Sequence, residues 1–269
     1  MSESSHHQPV APVRPVAPYI GGKRNLSRRL VDMIEQTTHH TYAEPFVGMG
    51  GVFLRRRRKP DAEMINDWSG DVATFFRVLQ RHYVAFLDML RFQLTTRAEF
   101  ERLCRVDPST LTDLERAARF LYLQRTAFGG KVSGRNFGVS HGRGASFDVT
   151  RLQPMLEDLH VRLAGVWIER LPFADFIRRY DRPGVLFFID PPYWGCEDDY
   201  GREMFSRADF EVLRGVLEGL QGRFILTLND RAETRSMFGQ FEIEPVLLTY
   251  RLSGAVTEGR ELIIRGGPP

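Results

Sequence analysis

The chain has 269 residues, 42% hydrophobic and 26% charged, proportions of an ordinary globular protein that exclude a wholly disordered or fibrous chain. No apolar run approaches the roughly 18–20 residues of a membrane span, and the N-terminus lacks the charged and apolar regions of a signal peptide. Two cysteines, Cys104 and Cys196, are too few for a disulfide framework or a cysteine zinc site, so a reducing cytoplasm and no metal are expected. The net charge is only +3, yet lysine occurs just at Lys23, Lys59 and Lys131, and every other basic residue is Arg. That bias reads mainly as codon composition, although Arg also suits phosphates and guanine edges.

Residues 1–17 are rich in Ser, His and Pro without periodicity and read as a disordered tail. Leu26, Leu30, Val31 and Ile34 then share one helical face, with Asn25 as a plausible N-cap. A strand at about 41–47 precedes a glycine turn and a helix from Val52 to the stop at Pro60. A second strand at about 62–67 leads into a helix through Val72, Phe75, Phe76 and Leu79, a βαβα start that implies a parallel sheet. Residues 81–160 read as inserted helices followed by a Gly- and Arg-rich hairpin or loop. The sheet pattern resumes with VWIERL, the helix PFADFIRRY and the wholly apolar strand GVLFFI. A helix at about 207–220, the strand RFILTLN and a closing β-hairpin complete an α/β sheet interrupted once.

Asp190-Pro191-Pro192-Tyr193 follows the apolar strand directly, and sites in open α/β sheets lie at the carboxyl ends of strands. The prolines remove two backbone donors and leave carbonyl acceptors, Asp190 adds a carboxylate, and Tyr193 adds a flat ring. Such a set can stack on a planar heterocycle while two acceptors hold both hydrogens of its exocyclic amine. Glu44-Pro45-Phe46-Val47-Gly48-Met49-Gly50-Gly51 follows a strand, and its glycines allow close backbone approach to a ligand. Asp67 ends the next strand, 19 residues beyond Gly48, where an acidic side chain can accept from ribose hydroxyls. With neither a GK[ST] loop nor a dinucleotide fingerprint, a nucleoside cofactor without pyrophosphate fits best. Pro18-Tyr19-Ile20-Gly21-Gly22-Lys23 is the third element, which alone would read equally well as a glycine turn before a helix.

Together these motifs resemble those of the adenine-N6 DNA methyltransferases of the Dam type, the alpha group. PYIGGK is similar to that family's N-terminal cofactor motif, AEPFVGMGGVF to its S-adenosylmethionine loop and IDPPY to its catalytic motif. FLYLQRTAFGG resembles the start of its recognition region, PFADF the motif before the catalytic strand and RELII the final strand, so the resemblance spans about residues 18–266. It implies a Rossmann-like class I methyltransferase sheet with a terminal antiparallel hairpin. The catalytic domain would span 18–80 and 161–269, interrupted by a mostly helical DNA-recognition subdomain over 81–160. It further implies S-adenosylmethionine as cofactor, bound by Tyr19, Lys23, Glu44, Phe46, Gly48, Gly50, Asp67, Asp175 and Asp190, with Lys23 near the cofactor carboxylate. Asp175 would read equally well as a helix cap.

Asp190, Pro191, Pro192 and Tyr193 would then act on an adenine flipped out of duplex DNA. Arg125, Phe128, Lys131, Arg135, Asn136 and Arg143, set among glycines, would contact that DNA. The run Arg55–Lys59 reads as cations at a helix end more than as a phosphate site. Gly129 stands where sequence-specific relatives typically carry Asn. It has no amide to fork onto a base, so relaxed specificity is expected unless Arg135 and Asn136 compensate. A monomeric enzyme of restriction-modification or phage anti-restriction use is the expectation. Methyl transfer to cytosine-N4, RNA adenine or a protein amide, and a catalytically inert DNA-binding relative, stand as alternatives.

Overall fold

The computed structural model describes residues 7–23, 25–139, 142, 144–201, 204–252 and 255–268. A short strand β1 (Gln8–Pro9) precedes helix α1 (Ser27–Gln36) and strand β2 (Thr41–Glu44). Then come β3 (Arg58–Lys59), β4 (Ala62–Asn66) and α2 (Gly70–Arg81). The helices α3 (Tyr83–Leu90), α4 (Arg97–Arg105), α5 (Asp113–Thr126) and α6 (Val149–Arg162) follow without an intervening strand. The chain returns to the sheet through β5 (Trp167–Glu169), α7 (Phe173–Tyr180), β6 (Val185–Ile189), α8 (Arg207–Glu218) and β7 (Arg223–Asn229). Helix α9 (Ala232–Met237) leads to the hairpin β8 (Glu242–Leu252) and β9 (Ala255–Gly266).

Seven strands form one sheet in the order β5-β4-β2-β6-β7-β9-β8. The first five are mutually parallel, and the hairpin adds antiparallel to β7. This is a Rossmann-like, doubly wound arrangement, with the order of the parallel strands reversing between β2 and β6. The wholly buried strand β6 shows why: its alternate side chains serve two separate cores. Leu186 and Phe188 join the cluster shared with α1, α2, α5 and α6, whereas Val185, Phe187 and Ile189 join that of α7 and α8. The inserted helices thus share a continuous apolar cluster with one sheet face. Within them, α5 begins with a Thr112–Glu115 capping box, which explains its sharp start after the polar loop.

Three local expectations are corrected. Residues 7–17 are not a loose tail: Gln8–Pro9 pairs with Arg58–Lys59, and Val13, Val16 and Ala17 are buried. The helix expected from Val52 to Pro60 is a single 3-10 turn over Phe53–Arg55, followed by extended chain. Burial of Arg56 causes the difference. Its guanidinium stacks 3.7 Å from the Tyr42 ring centroid and pairs with Glu63, which drives the chain into the interior and leaves Arg58–Lys59 extended against the N-terminal segment. Arg57 pairs with Asp32 and Glu35 of α1, so the basic run is built mainly into intramolecular contacts. Finally, α1 begins at Ser27 with Leu26 rather than Asn25 at its N-cap position. No helix among the described residues is long and apolar enough to cross a membrane.

Candidate active site

At the reversal between β2 and β6, Glu44 ends one strand and Asp190 follows the other. Their carboxyl ends open into a cavity of about 670 Å³, within the range of small-ligand sites. Tyr19, Lys23, Glu44, Phe46, Gly48, Asp67 and Asp190 all line it, so three motifs far apart in the chain converge there. Gly50 does not reach the wall. Its positive φ of 73° turns the loop, and Leu54 packs where a side chain would stand. Gly48 has a φ of 51°, and a Cβ there would meet the Tyr19 ring at 3.0 Å, which explains why the first motif packs so closely on the second.

Asp67 is built into the glycine loop. Its Oδ2 accepts from the Gly48 N–H at 2.9 Å and its Oδ1 from the Ser69 N–H at 2.9 Å. Burial pushes its carboxyl up to about 6 against the pull of those two donors. Each oxygen retains capacity for a further donor, the requirement for holding a ribose diol. Trp68, next in the chain, is 41% exposed and also lines the cavity.

Asp190 is held from two sides. The Lys23 ammonium lies 2.6 Å from its Oδ1, and the Thr227 hydroxyl donates to the same oxygen at 2.7 Å. Burial raises its carboxyl above the usual range, opposed by Lys23 and Thr227. The same ammonium sits 4.4 Å from the centroid of Tyr193, whose hydroxyl donates to Glu261. Pro192 joins the cavity wall, whereas Pro191 and Tyr193 are not among the lining residues. Glu44 is fully enclosed and accepts from the Tyr42 hydroxyl at 2.7 Å. Burial and nearby Asp190 push its carboxyl up to about 8, against Tyr42 and Arg56.

Asp175 stands apart. It is exposed in the first turn of α7, faces Arg178 at 3.5 Å and does not line the cavity. The PFADF motif reaches the site through Phe173 instead, whose ring lies 5.4 Å from that of Phe46. Arg14, Trp68 and Tyr200 are among the lining residues that escaped the sequence reading. Trp68 had a visible signal, a large aromatic directly after the strand-end Asp67. Tyr200 had none, since its hydroxyl reaches the Ile20 carbonyl 180 positions away.

The segment after α5 folds as a short hairpin. The Phe128 N–H donates to the Asn136 carbonyl and the Gly138 N–H to the Thr126 carbonyl, both at 2.8 Å, around an Ala127–Phe137 bridge. Phe128 is 63% exposed, and Lys131 and Asn136 are exposed beside it. Arg125 is half-buried and donates to the carbonyls of Ser146 and Val16, which fasten the N-terminal segment. Arg135 is half-buried, donates to the Lys131 carbonyl and is drawn below the ordinary guanidinium range by burial and by Arg119. Arg143 lies outside the described residues. The hairpin rests on the first motif, for the Gly130 carbonyl accepts from the Ile20 N–H, and Gln124 donates to Pro18 and Gly130.

The model of the D12 class N6 adenine-specific DNA methyltransferases matches residues 19–251, which include Tyr19, Lys23, Glu44, Gly48, Asp67 and Asp190. The chain belongs to that family. It is therefore an adenine-N6 DNA methyltransferase by descent. A type II methyltransferase of Lactococcus lactis subsp. cremoris, M1.LlaDCHI, is 25% identical over 92% of each chain. The type II methyltransferase M.CviBI of Paramecium bursaria Chlorella virus NC1A is 20% identical over 84% of this chain and 86% of its own. A DNA N-6-adenine-methyltransferase of Escherichia phage P1 is 28% identical over 62% of this chain and 22% of its own length. Among solved structures, TrmN of Thermus thermophilus covers 89% of this chain at a TM-score of 0.35 and 12% identity.

Proposed function

We propose that this enzyme transfers a methyl group from S-adenosylmethionine to the exocyclic amine of an adenine flipped out of duplex DNA. The observation that carries the reading is the convergence of Asp190, Asp67 and the Gly48 loop on one cavity at the strand-order reversal. The donor set suits the cofactor. Asp67 would take the ribose hydroxyls, Trp68 and Phe46 offer apolar surface for the adenosine, and the Asp190 carboxylate suits a cationic centre. When bound, the cofactor supplies the methyl group on a sulfonium.

The chain's own residues then prepare the amine. Adenine's amino nitrogen is a weak nucleophile because its lone pair is delocalised into the ring. Oδ2 of Asp190 is not the oxygen engaged by Lys23 and Thr227, and it would accept one N–H. The Pro191 carbonyl would accept the other, drawing the nitrogen toward tetrahedral geometry and localising its lone pair. Lys23 and Thr227 hold the Asp190 carboxylate in place before the substrate arrives, the condition for effective electrostatic stabilisation. Tyr193, tethered through Glu261, would stack on the flipped ring.

We assign DNA contact to the recognition segment within 81–160. Phe128 stands exposed as an apolar wedge, and Lys131 and Asn136 serve as polar contacts. Relaxed sequence choice rests on Gly129. It has a φ of 68° with open space around its Cα and carries no group able to fork onto a base edge. The test is incubation with methyl-labelled S-adenosylmethionine and duplex DNA, single-stranded DNA or RNA, followed by identification of the modified nucleoside. N6-methyladenine in duplex DNA supports the reading. N4-methylcytosine, labelled RNA alone or no transfer would overturn it. Mapping the modified adenines on a plasmid tests specificity, and confinement to one short site refutes the argument from Gly129.

A further inference from the structure

We propose that Arg14, carried into the cavity by the N-terminal segment, is the cation that receives the carboxylate of the cofactor's amino-acid end. The inference rests on the cofactor reading above. An aminocarboxylate entering the cavity needs a positive partner, and among the described residues Arg14, Lys23 and Arg55 are the cations on its wall. Lys23 is committed, lying between Asp190 at 2.6 Å and the Gly21 carbonyl at 3.2 Å. Pulling it away would release the Asp190 carboxylate on which the chemistry depends. Arg55 donates to the Gly51 carbonyl and so closes the glycine loop. Arg14 is exposed on the cavity wall, and its side chain forms no hydrogen bond or ion pair among the described residues.

The backbone around Arg14 is pinned, which makes its position a built feature. The Val10 N–H donates to the Arg57 carbonyl at 2.9 Å, and the Val13 N–H to the Leu54 carbonyl at 2.8 Å. Two residues on, Val16 is fully buried, and its carbonyl accepts from Arg125 at 3.1 Å. The segment thereby sets Arg14 beside the end of the glycine loop that carries Gly51 and Arg55. Asp67 occupies the other end, bound to the Gly48 N–H. A ligand whose ribose lies on Asp67 and whose chain runs along the loop delivers its far terminus to Arg14. A planar guanidinium there can fork onto a carboxylate, a geometry that an ammonium lacks.

The deciding measurement is calorimetric binding of two compounds that share the adenosine and thioether: S-adenosylhomocysteine and 5′-methylthioadenosine, which lacks the aminocarboxylate. Arg14→Ala should weaken S-adenosylhomocysteine by about ten- to hundredfold and leave 5′-methylthioadenosine unchanged. Arg14→Lys should recover part of the loss, because charge is kept and the fork is not. Equal weakening of both compounds would overturn the inference, since Arg14 would then shape the pocket rather than bind the carboxylate. Unchanged binding of S-adenosylhomocysteine would also overturn it, including the case in which the variant binds duplex DNA less well and the cation meets a phosphate. Wild-type protein that binds neither compound would refute the cofactor reading itself, and this inference with it.

Discussion

Glu63 is expected to be among the most sensitive positions in the molecule, although it touches no part of the cavity wall. Its carboxylate receives Nη1 and Nη2 of Arg162 at 2.6 and 2.7 Å and also the guanidinium of Arg56. All three side chains are buried, and both arginines lie over the Phe53 ring. Two buried cations therefore share one anion, and Nε and Nη1 of Arg56 and Nε of Arg162 find no acceptor. Glu63→Gln keeps the shape and removes the charge, leaving two guanidiniums without a counter-ion. Breaking one partner out of a buried ion pair costs about 3–5 kcal/mol, and the second arginine places this site at the upper end. Against a typical stability of about 5–15 kcal/mol, the melting midpoint should fall by roughly 10 °C. Urea unfolding followed by circular dichroism measures the loss. Replacing the whole group, Arg56→Met, Glu63→Leu and Arg162→Met together, should restore most of it, because the desolvation cost disappears with the charges. A Glu63→Gln variant within about 1 kcal/mol of wild type would refute the view that this triad holds β4 to α6.

Four further outcomes are expected. Asp190→Asn should lower methyl transfer by more than about 10²–10³-fold, since it removes the negative charge opposite Lys23 and leaves one acceptor oxygen where Lys23, Thr227 and the amine engage two; single-turnover rates at saturating DNA read this directly. Asp67→Ala should weaken S-adenosylhomocysteine by about 1.5–3 kcal/mol in calorimetry while duplex binding is kept, and unchanged cofactor affinity would remove Asp67 from the ribose role. Glu44, raised to about 8 from an ordinary carboxylate value, stays protonated in the folded state where the unfolded chain has ionised. Its contribution to stability therefore declines as pH rises from about 5 to 8, and urea melts across that range should show a flatter dependence for Glu44→Gln. Arg125→Ala should lower stability and loosen the N-terminal segment, read by faster amide exchange at Val10 and Val13, and a variant impaired only in DNA binding would contradict this.

The parallel strands are legible in the sequence because burial on both faces demands uninterrupted apolar runs such as VLFFI, and the catalytic-type tetrapeptide is legible because it follows one directly. Asp67 is readable from spacing alone, for a strand–turn–strand unit fixes how far the second strand's end lies from the glycine loop. Arg56 shows where such reading stops. A run of four arginines looks like solvent-facing charge, and only the tertiary partners Glu63 and Tyr42 make burial of one of them favourable. Arg125 fails for the same reason, its acceptors being the carbonyls of Val16 and Ser146. The N-terminal segment carries no periodicity because it docks through a two-residue strand and a few buried side chains rather than through an amphipathic element. Asp175 lies in the expected motif but on the solvent side of α7, a distinction set by helix rotation and invisible in a short pattern.

The seam between Gly130 and Ile20, reinforced by Gln124, joins the surface that would read DNA to the wall that would hold the cofactor. Few atoms separate two binding events there, and a thermodynamic cycle links them. Whatever factor cofactor occupancy applies to DNA affinity through this seam, DNA must apply to cofactor affinity in equal measure. A grip of the hairpin on the double helix and the residence of the cofactor would then be two readings of one coupling energy, accessible by titrating either ligand in the presence of the other.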